Sequence, residues 1–206
     1  MTPQSTTRWV GQVSLFAAAM IIVSQGLNFG LGLAIGAQPA DNVLHSVKYG
    51  LALIATIALL FALTGLYLRQ ADAAGRLGLV GYVVAFVGTV LVAGDWWYES
   101  FIAPQIAAVA PQVMTGAITG SMAVGAAATF VLFALGWTIF GIATFRANVY
   151  PRPAAVLLTI GGLVGILALS TPYLVPLAIA IGWIGYSLMQ SEHAGSSRSV
   201  VAATPA

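Results

Sequence analysis

The chain has 206 residues, of which 60% are hydrophobic and 6% charged, with a net charge of +2 and a mean hydropathy of +0.97. Soluble domains carry roughly a quarter of their residues as charges, so a water-facing surface is excluded and an all-α, lipid-embedded helical bundle is expected. The absence of cysteine excludes disulfides, thiolate catalysis and cysteine metal sites, and the scattered bases make no nucleic-acid surface.

Residues 1–8 and 191–206, rich in Ser, Thr, Ala and Pro, are expected to be disordered tails flanking one domain over 9–190. A hydrocarbon core of about 30 Å takes roughly 17–25 residues of helix, and six stretches suit it: 9–36, 46–68, 77–97, 122–145, 153–169 and 173–189. The first is about twice the length of a secretory apolar core of roughly 7–15 residues, which favours an uncleaved span over a signal peptide. Pro39 followed by Asp41 suggests a helix start at Asp41, with the acid as N-cap. Between the third and fourth stretches lies an external segment, 98–121, that is apolar rather than solvated. Pro104 and Pro111 divide it, so short interfacial helices broken at the prolines are expected. Pro172 and Pro176 mark the fifth and sixth stretches as a tight hairpin rather than one element.

Six of the seven bases then fall on one side: Arg8, Arg69, Arg76, Arg146, Arg152 and Arg198. Lys48 lies opposite, with Asp41, Asp95 and Glu99. The positive-inside bias puts both termini in the cytoplasm of a multi-pass protein of the cell membrane, the bacterial cytoplasmic membrane fitting best. Trp9, Tyr67, Tyr82, Tyr150 and Tyr186 fall near the cytoplasmic ends, as an aromatic belt requires. Gly26 with Gly30, Gly32 with Gly36 and Gly161 with Gly165 have the spacing of close helix packing, read as intramolecular rather than as a dimer interface. The stretches 60–94 and 135–170 each run helix, Arg-containing turn, helix, with Gly65 four residues before Arg69 and Gly141 five before Arg146. Duplication would make them parallel repeats, and Ala/Gly/Leu/Val composition would produce the same pattern without duplication.

The candidate chemistry is concentrated at the outer side. Asp95 and Glu99 are four apart, so a helix running through them puts both carboxylates on one face about 6 Å apart at Cβ. Like charges so placed raise one pKa and make one group a candidate general acid. Trp96, Trp97 and Tyr98 surround them with π-faces that attract cations, although a membrane interface selects such a run by itself. Gln25 and Asn28 share a face in the outer half of the first span, about 24 Å along the helix from Trp9. Asp41, His45 and Lys48 follow at i, i+4 and i+7, with Lys48 placed to pair with Glu99 or Asp95. Gln25, Asn28, Lys48, Trp96, Trp97 and Tyr98 are therefore the candidate ligand-binding residues, and Glu99 and Asp95 the catalytic candidates. Interhelical hydrogen bonding accounts for the same polar groups without any ligand. His45 and His193 are the only histidines, too few for a helical haem or a His-rich metal site, so no cofactor and no metal are expected. Mid-membrane charges of the kind pumps and voltage sensors use are absent.

The run Asp95-Trp96-Trp97-Tyr98-Glu99, followed by Phe101, Pro104 and Ala110-Pro111, then Gly141 to Arg146, Tyr150-Pro151-Arg152-Pro153 and Gly161-Gly162, resembles a loose group of bacterial multi-pass membrane proteins of uncharacterised activity. The resemblance covers about residues 60–190 and implies six helices, but no activity. The acid–aromatic cluster alone also looks like small integral-membrane terpene cyclases, which implies an intramembrane carboxylate as proton donor; a second deep acid in the C-terminal half is missing here. Three functions stay open. The first is a protein of the bilayer that binds or handles a lipid-like small molecule in an outward-facing pocket. The second is an acid-initiated cyclase or isomerase using Glu99 or Asp95, and the third a structural subunit of a larger complex or oligomer.

Overall fold

The computed structural model describes residues 3–35, 40, 42–114, 116–167 and 173–202, and among them the secondary structure is helical throughout, with no strand. α1 spans Pro3–Ile35 and α2 Val43–Phe101; α3 (Ala103–Val109) and α4 (Pro111–Met114) are short; α5 spans Gly120–Ala147, α6 Arg152–Val164 and α7 Val175–Ala202. Helix α1 thus begins within residues 1–8, and α7 extends into residues 191–206. Helix α2 starts one residue later than anticipated: Asn42 is its N-cap, accepting from Leu44 N at 2.9 Å, and Asp41 lies outside the described residues.

Helix α2 is two rods rather than one. At Gly75 the backbone takes φ 56 and ψ −148, a conformation that costs an L-residue with a Cβ but not glycine. The chain reverses there. Tyr67 stacks on Tyr82 at 4.3 Å and Tyr49 on Trp96 at 5.3 Å, so arms 43–74 and 76–101 lie antiparallel along their length. The second and third expected stretches, 46–68 and 77–97, fall within these arms, and the turn between them has contracted to a single residue.

The six rods close a ring of antiparallel neighbours. α1 packs on α2 and α7, α2 on α5, α5 on α6, and α6 on α7. Glycine sets the contacts: a Cβ on Gly81 would lie 2.6 Å from Phe140 N, one on Gly141 2.6 Å from Thr159 N and one on Gly161 2.6 Å from Leu177 N. Gly88, Gly136 and Gly162 are as tightly covered by the backbones of Phe133, Ala85 and Thr138. Dispersion at such close approach takes the place of the hydrophobic effect, which cannot drive one helix onto another in lipid. Of the expected small-residue pairs, Gly161 packs in this way and Gly165 meets the Phe133 ring, whereas Gly26 and Gly30 face open space.

The interior is filled by Leu63, Leu66, Phe133, Trp137, Leu158 and Leu177, all buried. The Trp137 indole donates to Thr89 Oγ1 at 3.0 Å, and Thr89 donates in turn to Ala85 O. The exterior is equally apolar: Phe16, Ile57, Phe61, Val83, Leu135 and Leu163 are among many large side chains exposed on every rod. Water would not tolerate so continuous an apolar surface. Three helices, Ser5–Gly30 within α1, α2 and α5, are long and apolar enough to cross a membrane, and Arg152–Leu167 and Val175–Gln190 are shorter apolar helices. This is the build of a membrane protein.

The loops follow local chemistry. α5 ends on Asn148 in the left-handed region at φ 54, which asparagine tolerates as a helix terminator. Pro151 and Pro153 then start α6, and Pro176 falls in the first turn of α7. The apolar segment 98–121 breaks where expected: α3 stops at Val109 and α4 restarts at Pro111.

Candidate functional site

At the end of the bundle remote from Arg69 and Arg76, the two arms of α2 bring opposite residues into contact. His45 Nε2 lies 2.9 Å from Glu99 Oε2, with the His45 side chain 9% and that of Glu99 25% exposed. One turn further in, the Tyr49 ring meets His45 edge-on at 4.6 Å and stacks on Trp96. The Lys48 ammonium sits 4.4 Å from the Tyr49 ring centroid, and a cation over a π-face is attracted to it. The pairing differs from the expected one. His45, not Lys48, takes Glu99, because the two arms oppose residues 45 and 99 while Lys48, three positions on, is turned toward the ring of its neighbour.

The expected aromatic run divides between two faces. Trp96 is buried at 7% exposure, whereas Trp97, at 51%, leans on Phe101 outside. Tyr98 is half-buried on the same helix. The helix continues through both acids, so Asp95 and Glu99 do share a face, and both are half-buried. In α1, Ile21, Ser24 and Gln25 are buried and form one inward stripe at i, i+3 and i+4. Asn28 continues it, half-buried. Val10 lies against Gly65, and Arg69 donates to Thr7 Oγ1. Continuing that antiparallel register puts Gln25 roughly 10 Å deeper than His45 at 1.5 Å per residue.

Among the described residues four buried side-chain atoms have no hydrogen-bond partner: His45 Nδ1, Gln25 Oε1, Ser14 Oγ and Gln70 Oε1. Buried polar atoms are nearly always satisfied, and each exception needs a reason. His45 is the most informative of the four. In the tautomer with its hydrogen on Nε2, facing the Glu99 carboxylate, the ring presents Nδ1 as an acceptor. Nδ1 is thereby an oriented, buried and unengaged group.

The basic end is more fully bonded. Tyr150 OH donates to Leu66 O at 3.0 Å, Gln70 Nε2 to Thr144 Oγ1 at 2.9 Å, and Thr144 to Phe140 O. Burial pushes the Tyr150 phenol well above its ordinary pKa, and the neighbouring Arg69 guanidinium opposes that shift. Tyr150 is therefore an internal lock and not part of an interfacial belt, as its position in the sequence had suggested. Compared with family models, with curated proteins and with solved structures, the chain matches none.

Among the described residues no group of three or more His, Cys, Asp or Glu side chains is placed to hold a metal ion. What the site offers is a carboxylate-held imidazole, a stacked pair of aromatic rings, one ammonium and one further carboxylate. Tyr49 was not singled out in the sequence. Its signal was its place four residues after His45, which puts both side chains on the helix face that meets Trp96 and Glu99.

Proposed function

We propose that the chain is a six-pass protein of the cell membrane with both termini in the cytoplasm, and that its His45–Glu99 end faces outward and binds a hydrophobic small molecule bearing a polar group. The six rods support the span count, with α6 and α7 crossing where the bilayer is thin or locally thinned. Arg69, Arg76, Arg146 and Arg152 at the opposite end support the orientation.

The observation that carries the binding reading is the buried His45 Nδ1, held in place from Nε2 by Glu99 and left without a partner. A ligand group that donates a hydrogen bond satisfies it, while the Tyr49–Trp96 stack supplies an apolar flank. Gln25 Oε1 offers a second acceptor deeper in the same half. The test is solvent extraction and native mass spectrometry of protein purified in nanodiscs. Wild-type protein is expected to release one hydrophobic compound in stoichiometric amount, and Gln25→Leu with Glu99→Gln to lose it while remaining folded. No co-purifying compound, or one that the double variant retains, ends this reading.

A second reading is favoured by the same pair, since a carboxylate-oriented imidazole also moves protons. Here the protein is an intramembrane cyclase or isomerase, with Glu99 or Asp95 as proton donor and the aromatic rings stabilising an electron-poor centre. Incubation with prenyl substrates decides it. Product formation that survives Asp95→Asn together with Glu99→Gln removes these residues from the mechanism.

A further inference from the structure

At the opposite, basic end, α1 and the first arm of α2 leave a cleft of about 360 Å³ between them. Ligand clefts run from roughly 300 to 1,000 Å³, so this is room for part of a molecule rather than for a single water. Its wall is graded along the helix axis. Arg69, Thr6 and Thr7 line the outer rim, and Trp9, Val10, Gly65 and Phe61 line the deeper part. From Arg69 to Phe61 is eight residues, about 12 Å of helical rise.

The cleft exists because of local packing. Gly65 has no side chain, and a Cβ there would lie 2.5 Å from Val10 Cγ2, so Val10 forms a floor flush with the helix backbone. Trp9 and Phe61 meet edge-on at 6.2 Å and close the deep end. Trp9 is 42% and Phe61 54% exposed, so the cleft opens outward, toward the surface that lipid covers.

We infer that this cleft holds one anionic phospholipid of the cytoplasmic leaflet, its phosphate on Arg69 and the Thr6–Thr7 rim and one acyl chain along Trp9, Val10 and Phe61. A guanidinium has five N–H donors in a planar fork that matches a phosphate, more than its engagement with Thr7 and Tyr150 uses. No carboxylate lines the cleft, and Arg69 is the one charged residue in its wall. The net local charge is therefore positive, which selects an anionic headgroup over a zwitterionic one. The proposal shares with the function proposed above only the membrane placement, and its residues lie at the other end of the bundle.

The experiment is native mass spectrometry of the full chain, released from micelles holding equal amounts of phosphatidylglycerol and phosphatidylcholine. One phosphatidylglycerol per chain is expected to survive activation that strips phosphatidylcholine. Arg69→Gln is expected to lower that retention about tenfold, as loss of a charge-assisted phosphate contact does. Leu68→Trp fills the cleft from an exposed position without removing any bond seen here, and is expected to lower it as much. It carries the test if Arg69→Gln fails to fold. Arg8→Gln, outside the cleft, is expected to stay within twofold of wild type, and millimolar inorganic phosphate to leave the lipid in place. Equal retention of the two lipids, undiminished retention in Leu68→Trp, a loss in Arg8→Gln matching that in Arg69→Gln, or displacement by phosphate alone overturns the inference.

Discussion

Replacing Glu99 by leucine removes the acceptor that His45 Nε2 meets among the described residues. The imidazole, in a residue 7% exposed, is then left with two unpaired nitrogens, since Nδ1 has no partner at the outset. A hydrogen bond to a charged group contributes about 1.5–3 kcal/mol, and leaving a buried polar group unsatisfied costs about 1–3 kcal/mol. With the Glu99 side chain 25% exposed, solvent relieves part of the penalty and the lower range applies. We expect Glu99→Leu to cost about 2 kcal/mol, roughly a thirtyfold change in the folding equilibrium. Glu99→Gln keeps a carbonyl at the acceptor position and is expected to cost about 1 kcal/mol or less.

The assay is reversible unfolding in mixed micelles, followed by tryptophan fluorescence, for Glu99→Leu, His45→Leu and the double variant. If the two side chains stabilise each other, the cycle returns a coupling of about 1–2 kcal/mol, in the range seen for residues in contact. Additive losses, or a Glu99→Leu variant within about 0.3 kcal/mol of wild type, refute the pairing and with it the oriented Nδ1.

Other expectations follow from single contacts. Gly136→Ala drives a Cβ into the Ala85 backbone, whereas Gly26→Ala meets nothing; overpacking of that kind costs about 1–3 kcal/mol or more and the exposed change about 0.5 kcal/mol or less, which the same unfolding assay resolves. Tyr150→Phe removes the bond to Leu66 O and is expected to cost about 1 kcal/mol. Because burial raises the Tyr150 pKa, its contribution is complete below the unfolded value of about 10 and is lost as pH climbs from there through the folded value; a phenolate band from Tyr150 in the folded protein near pH 10 contradicts this. Since the chain has no cysteine, single cysteines at Ala73 and Ser121 report topology cleanly. An impermeant maleimide on intact cells is expected to label Ser121→Cys and spare Ala73→Cys, and the reverse pattern inverts the proposed orientation.

The fold was more legible in the sequence than the site because the two depend on different lengths of pattern. An apolar stretch of about 20 residues tolerates errors of several positions at its ends, so the rods and the positions of Arg69, Arg76, Arg146 and Arg152 were within reach of composition alone. Side-chain pairing has no such tolerance. Each residue turns a helix by about 100°, and the register of the two α2 arms depends on where the chain reverses. Single-residue reversal at Gly75 fixed the choice, and nothing local distinguishes Gly75 from the neighbouring Gly78. Glycine spacing has the same limit: Gly26 and Gly30 carry the four-residue signature yet pack on nothing, while Gly136, outside any such pair noted in the sequence, sits against the Ala85 backbone.

Both ends of the bundle bury polar side chains, but they treat them differently. Near Tyr150 the donors reach acceptors within the chain: the phenol takes Leu66 O, the Gln70 amide takes Thr144, and Thr144 takes Phe140 O. Such bonds tie α5 and the first arm of α2 together, although the Gln70 carbonyl oxygen beside them is itself without a partner. The other end spends a carboxylate on orienting one imidazole nitrogen and leaves the second unused. If stability alone had shaped that end, an apolar pair of similar volume would serve as well, since replacing both partners of a buried hydrogen bond by apolar groups of the same shape is often nearly neutral. With Nε2 committed to Glu99, Nδ1 is the atom on which the proposed binding depends, and a ligand that leaves it unengaged removes the reason to place the site at this end.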